Sequence, residues 1–397
     1  MRSLWADPDA RRYSPLERDR EIDIAIVGGG LSGVGAALAL LDSGAEVALL
    51  EGRAVASGAS GRNAGFVLAG PAQSYGETIS RIGHDAALDV WHFTVENNRR
   101  IGDLVQEHDI GCGYLRHGSI SLAAGDAEWE TLRAEVQRLL VDGIACCLVE
   151  RAALPRPFDQ LYCGGLYFAG NAEIDPGRFS RAIAALVDDR ITLHEGSPVE
   201  SLRHDGIWRL ETNRATLSAR QVLLCTNAYT ARLLPDVPIL PRRGQVLATV
   251  PIDRALVPFP MYANNGYQYW RQTEDGRLIV GGWRNLDPES EVGEQESLHG
   301  DIQATLLAFA STIMGIEAGV EYRWAGIMGF TQDMTPLVGA VPDCPGLFLA
   351  AGYSDHGVAM AVSCGAHIAG LAAGAHPIVP PCFDPARFGP PAFTLPA

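Results

Sequence analysis

Gly28-Gly29-Gly30-Leu31-Ser32-Gly33 is spaced as G-x-G-x-x-G between an apolar run and a helical pattern. That spacing serves one kind of chemistry. Gly28 permits a tight turn, Gly30 lets a pyrophosphate approach a helix N-terminus, and Gly33 lets helix and strand pack closely. Leu31 and Ser32 stand with them at the helix start. Glu51, about 20 positions on at the tip of the next strand, is the acid expected to accept adenosine ribose hydroxyls. The fingerprint does not choose between NAD and FAD. The loop after it helps: "VASGASGRNAGF", Val55–Phe66, sets Arg62 and Asn63 among small residues that let backbone come close to something flat or charged.

The elements that position these residues are legible from periodicity and turn chemistry. Asp23–Val27 reads as a strand, Ser32–Asp42 as a helix capped by Gly44, and Glu46–Leu50 as a second strand. Residues 85–110, 126–142 and 296–314 carry helical spacing. From 191 the pattern turns to strands, with hairpins at His204-Asp205-Gly206 and Glu274-Asp275-Gly276. A third run begins at Ala215, and an apolar strand spans Gln221–Cys225. "GLFLAAG" reads as a buried strand, "DHGVAMAVSCGAHIAGLAAG" as a small-residue helix, and the tail beyond Pro377 as proline-rich and irregular.

Composition narrows the function. A chain of 397 residues suggests two domains. A formal charge of −16 argues against nucleic acid and repels anionic membranes. All 31 basic residues are arginine, so Schiff-base or general-base lysine chemistry is excluded. Eight cysteines without a C-x-x-C pair suit a reduced, cytoplasmic chain. The N-terminus lacks the apolar stretch of a signal peptide, and no membrane span is expected. There is no metal-ligand spacing, no G-x-S-x-G, and no carboxylate pair for acid–base work; Asp188-Asp189 reads as a surface helix end.

Glu51 followed by "SGASGRNAG", with the lead-in Trp5, Pro15-Leu16 and "DIAIVGGG", resembles the FAD-dependent D-amino-acid oxidase, glycine oxidase and sarcosine oxidase superfamily. The resemblance is nearest its γ-glutamylputrescine oxidoreductase-like branch. It implies that Gly52, Arg53, Ser57, Ser60, Arg62 and Asn63 line a non-covalent FAD, Arg62 supplying charge. It places Val199 against the adenine and Thr226 and Asn227 near the dinucleotide. The C-terminal pattern Trp324-x-Gly326, Thr331-x-Asp333-x-x-Pro336-x-x-Gly339 is similar to the same family. It implies that Gly352, His356, Gly357 and Val358 meet the isoalloxazine ring, where a helix N-terminus would stabilise negative charge. His356 would be a charge stabiliser or a cap. The segment Ile327-Met328-Gly329-Phe330 departs from the family by lacking a carboxylate-clamping arginine; Arg271, Arg284 and Arg323 are substitutes. In "NNGYQYWRQ", strand alternation puts Tyr267, Tyr269 and Arg271 on one face and Gln268 and Trp270 on the other. Tyr269, Arg271 and His356 are the catalytic candidates.

The expected fold is α/β, with a discontinuous Rossmann-like FAD-binding domain (20–85, 145–235 and 320–376). The second, α+β substrate domain is built on an antiparallel sheet (86–144 and 236–319), between a lead at 1–19 and a tail at 377–397. The resemblance implies oxidation of an amine C–N bond by hydride transfer to flavin N5, giving an imine, with oxygen or another acceptor taking the electrons; no dedicated protein base is needed. An oxidase is preferred to a dehydrogenase, although the lysine that sarcosine oxidases use to activate oxygen is missing. A hydroxy-acid dehydrogenase and a non-catalytic redox sensor are the competing readings.

Overall fold

The computed structural model describes residues 2–187, 189–315, 317–389 and 393. Arg20–Val27 ends in four consecutive buried residues, because it lies inside a parallel sheet covered on both faces. Val47–Leu50 pairs with it on one side, Ile24 opposite Val47, and Thr216–Leu224 on the other, Val27 opposite Leu224. The full path of this sheet is Leu337–Ala340, Leu347–Ala351, Thr216–Leu224, Arg20–Val27, Val47–Leu50 and Thr192–His194. The hairpin Val199–His204 and Trp208–Thr212 hangs from Thr216–Leu224.

Two helices from opposite ends of the chain close over this sheet. Leu31–Ala39 lies against Ala361–Ala372, and glycines allow it. A Cβ on Gly365 would stand 1.9 Å from the Ser32 carbonyl oxygen, and one on Gly35 would stand 2.7 Å from that of Val362.

The second eight-stranded sheet runs Val320–Thr331, Ile239–Thr249, Leu278–Gly282, Gln268–Gln272, Met261–Ala263, Ser119–Ala123, Gly164–Phe168, Cys147–Glu150. It is antiparallel except where Met261–Ala263 meets Ser119–Ala123. Gly300–Met314 covers one face, sealing a core of Leu247, Val280, Ile302 and Leu306 around Trp270. Trp270 stacks on Phe158 and Tyr162.

Several expected boundaries move. Cys147–Glu150, Gly164–Phe168 and Val320–Thr331 belong by their hydrogen bonds to the second sheet, not the nucleotide unit. Helix His84–Glu107 goes the other way, placing Val90, Ile101 and Leu104 in the nucleotide unit's core. Local periodicity announces the helix but not these three strands, and it carries no information about which sheet claims an element. The run from Ala215 and the strand at Gln221–Cys225 are one strand, Thr216–Leu224. The first helix ends at Ala39, and the C-terminal helix starts only at Ala361, after a single 3-10 turn at Gly357–Ala359. Helix Tyr75–Ile82 was not expected, although Ser74 and Glu77 form a full capping box at its start. The tail is anchored: Phe383 is buried in one core and Phe393 in another. Asp188 lies outside the described residues. Among them, no helix is long and apolar enough to cross a membrane, and no acid, histidine or cysteine cluster could hold a metal.

Candidate active site

A cavity of about 1040 Å³ runs between the two sheets. Its outer arm starts at the glycine turn. Gly28 sits at φ +107°, and a Cβ there would be 2.5 Å from the Cys225 carbonyl oxygen. Gly30, Leu31 and Ser32 face the cavity; Gly33 does not, because it is pressed against the Gly28 carbonyl. Glu51 and Gly52 follow in the wall, with Val199, Thr226 and Asn227 from the neighbouring strand ends. Glu51 accepts hydrogen bonds from the Gly29 amide (2.7 Å) and the Arg53 amide (2.8 Å). Burial pushes its carboxyl above the ordinary value, and those two amides pull it back.

The loop Val55–Phe66 crosses from this arm to the second sheet, which explains its lack of bulk. Ser60 Oγ accepts from the Leu31 amide at 2.9 Å. Asn63 knots the loop: Nδ2 donates to the Ala59 and Ser60 carbonyls, and Oδ1 accepts from the Gly65 amide. The Arg62 carbonyl accepts from the Trp324 indole at 3.0 Å, and a Cβ on Gly326 would stand only 3.0 Å from that same oxygen.

Arg62 lines the cavity but is not a free charge. Its guanidinium donates to the Ser57 and Ala325 carbonyls and pairs with Glu296 at 2.9 Å. Glu296 also pairs with Arg53 at 2.7 Å. The expectation that Arg62 supplies charge is corrected accordingly: an acid from a loop 234 residues away neutralises much of it. No local pattern announces Glu296. Ser57 and Gly352 are not among the lining residues either. Ser57 is a backbone acceptor for Arg62, and the Gly352 amide donates to Asn227 Oδ1, where a Cβ would meet Thr331 at 2.7 Å.

Gly326, Ile327, Met328 and Gly329 line the inner end together with Tyr269, His356, Gly357 and Val358. Tyr269 stands edge-on to Phe66, over Gly281, whose Cβ would strike its ring at 2.3 Å. Burial pushes its hydroxyl up to about 12.

Arg271 is not part of this wall. Its guanidinium is buried beside Glu173, donates to the Gly65 and Ile174 carbonyls, and lies 5.4 Å over the Trp5 ring. Alternation gave its face correctly but not its neighbours, and it ties the two units together instead of reaching substrate. His356 does not fill the expected capping role. Burial pushes it down to about 4, so it is uncharged at neutral pH, and its side chain does not cap the turn that follows. Nor does a helix proper begin at the ring site, since a 3-10 turn intervenes.

Arg284 does enter the inner wall, stacked 4.5 Å from the Tyr267 ring centre and 5.2 Å from that of Phe330. Its Nη2 meets Asp355 Oδ2 at 2.8 Å. Arg323 turns away to Gln303. Asp355, which no local pattern announces, lines the cavity at φ +66° with its side chain 23% exposed to it; partial desolvation pushes its carboxyl up to about 6 against the pull of Arg284.

The cradle fits a dinucleotide. Side chains are excluded at Gly28, Gly30 and Gly33, an acid waits at the strand tip, and the cavity continues past the nucleotide arm into a chamber between the sheets. The chain belongs to the FAD dependent oxidoreductase family: that family's model matches residues 23–371. Its cofactor is FAD. Among proteins it is similar to are the γ-glutamylputrescine oxidoreductase of Escherichia coli and the probable oxidoreductase OrdL of Haemophilus influenzae. The first is 27% identical over 94% of this chain and 89% of that one, the second 26% over 88% and 82%. The solved glycine oxidase of Geobacillus kaustophilus superposes with a TM-score of 0.78 at 23% identity, covering 94% of this chain and 99% of that one.

Proposed function

We propose that the protein oxidises a C–N bond of an amine or N-substituted amino compound, leaving an imine that water hydrolyses. FAD, when bound, supplies at N5 the acceptor for the hydride that leaves the substrate carbon. Oxygen or another acceptor then takes the electrons, and the eight unpaired cysteines suit a cytoplasmic setting. The outer arm, from Gly28 to Thr226, would hold the dinucleotide without a covalent link, and the Gly326–Gly329 strand with Gly357 and Val358 would bracket its ring. The substrate's place would be the chamber beyond, walled by Tyr269 and Phe66, whose ring faces suit an amine. An uncharged His356 adds no cation that would repel a protonated amine.

One observation carries this reading: a single cavity of about 1040 Å³ is lined both by the nucleotide cradle and by the aromatic side chains Phe66 and Tyr269. A sealed ring site would have favoured a sensor. The test uses the purified yellow protein. Heat or acid should release FAD, and anaerobic addition of primary and secondary amines should bleach the 450 nm band while hydroxy acids leave it unchanged. Bleaching by hydroxy acids alone would overturn the reading. Reoxidation in air then separates oxidase from dehydrogenase.

A further inference from the structure

Resting on the amine reading above, we propose that Asp355 accepts the proton of the substrate's ammonium group, so that the amine meets the ring uncharged.

Asp355 lies at the inner end of the cavity, between strand Leu347–Ala351 and the turn Gly357–Ala359. It and Ser354 are consecutive non-glycine residues at φ +66° and +46°, a conformation that L-residues adopt at a cost, though aspartate tolerates it better than most. The surroundings enforce it. The Ser354 amide donates to the Gly329 carbonyl at 2.8 Å, and Ser354 Oγ accepts from the Thr331 amide at 3.2 Å. These bonds pin the backbone and direct the next side chain into the chamber. There Arg284, itself fixed by stacking on Tyr267 and Phe330, holds only one edge of the carboxylate, Oδ2. Oδ1 has no hydrogen-bond partner among the described residues and is left for a substrate N–H.

No other titratable group at the inner end is as well placed for this proton. Tyr269 holds its own up to about 12. His356 resists protonation down to about 4, and its Nε2 is buried without a partner. Arg62 and Glu296 are committed to each other, and Glu135, further along the wall, is held by the Tyr75 and Gly76 amides beside Arg138. The chain has no lysine. Arg284 keeps Asp355 ionised in the resting site, and is a positioning residue in this scheme.

The step balances simply. One ammonium N–H bond breaks, its electron pair stays on nitrogen, and an O–H bond forms at Oδ1. The substrate goes from +1 to neutral as Asp355 goes from −1 to neutral. The nitrogen lone pair is then free to form the C=N bond as hydride leaves the adjacent carbon, and Asp355 returns its proton to solvent between turnovers.

The test compares wild-type holoenzyme with Asp355→Asn and with Asp355→Gly, which suits the positive φ and secures a folded control. The binding probe is tert-butylamine, which carries no hydrogen on the carbon beside nitrogen and so cannot be oxidised; its binding is read as a perturbation of the flavin absorbance. Both variants should bind it about ten- to a hundredfold more weakly, while neutral tert-butanol binding is unchanged. In the wild type, tert-butylamine affinity should fall as pH drops through about 6. With an amine that bleaches the flavin, kcat/KM should show the same acid limb, and Asp355→Asn should lose both that limb and about a hundredfold in rate. Equal amine affinity and an unchanged acid limb in the variants would overturn this proposal alone. A wild-type flavin that no amine bleaches would overturn the reading beneath it.

Discussion

The two ends of the cavity are built by different means. At the nucleotide end the wall is backbone: glycines at 28 and 30 remove side chains, and Glu51 is held by the Gly29 and Arg53 amides. At the inner end the wall is side chain, gathered from distant places: Tyr269 and Arg284 from the second sheet, Asp355 and His356 from the last strand–helix corner. A backbone cradle tolerates almost no added atom and carries one ligand chemistry. A side-chain chamber can change its specificity through single substitutions while the cradle behind it stays the same.

Substitutions can sharpen or break that contrast. The largest effect should come from Arg271, which belongs to neither wall. Arg271→Met removes one of the two described ion-pair partners of Glu173, 3% exposed, leaving His117 at 3.5 Å, and should cost about 3–5 kcal/mol in denaturant unfolding. Turnover per bound flavin should be unchanged; a selective loss of turnover would return Arg271 to the active site. At the nucleotide end, Gly33→Ala puts a Cβ 1.8 Å from the Gly28 oxygen, and FAD retention, read from the ratio of absorbance at 450 and 280 nm, should weaken by about a hundredfold.

Acid should loosen the fold around two histidines. His356 and His367 have folded values depressed to about 4 by burial, from an ordinary 6.5. Their contribution is present above 6.5 and is lost as pH falls toward about 4, on the order of 1–3 kcal/mol for each. Asp355 runs the other way, its raised value adding stability that is present below 3.8 and lost as pH rises through about 6. Melting temperature against pH should therefore drop on the acid side, and His367→Phe should flatten the drop.

At the inner end, the proposed placing of an amine against the Tyr269 ring predicts that Tyr269→Phe changes KM by less than about twofold, whereas Tyr269→Ala raises it about three- to thirtyfold. The smallest effect is a displacement: Arg284→Met removes the cation that lowers Asp355, so the acid limb of kcat/KM should move upward from about 6.

The contrast also explains what could be read in advance. The cradle is contiguous in the chain, so spacing alone assigned Gly28, Gly30, Gly33 and Glu51 their places. Alternation separated Tyr269 from Trp270 correctly, one facing the chamber and the other the core beneath Gly300–Met314. It could not say that Arg271, two residues on, would be sealed against Glu173, because that depends on a strand almost a hundred positions away. Glu296 and Asp355 escaped for the same reason, since each gains meaning only from an arginine brought in by the fold. The capping box at Ser74 and Glu77 is different: its signal was local and was overlooked.

The first few residues have a consequence of their own. Ser3 Oγ donates to the Gly61 carbonyl at 2.8 Å, the Trp5 indole donates to that of Asn63 at 2.6 Å, and the same ring shields Arg271. A segment remote from every reacting atom thus acts as a wedge behind the glycine- and serine-rich loop. Clipping it would leave two carbonyls without donors and wet a guanidinium, so that amide exchange at 56–65 should accelerate before any other part of the cradle responds.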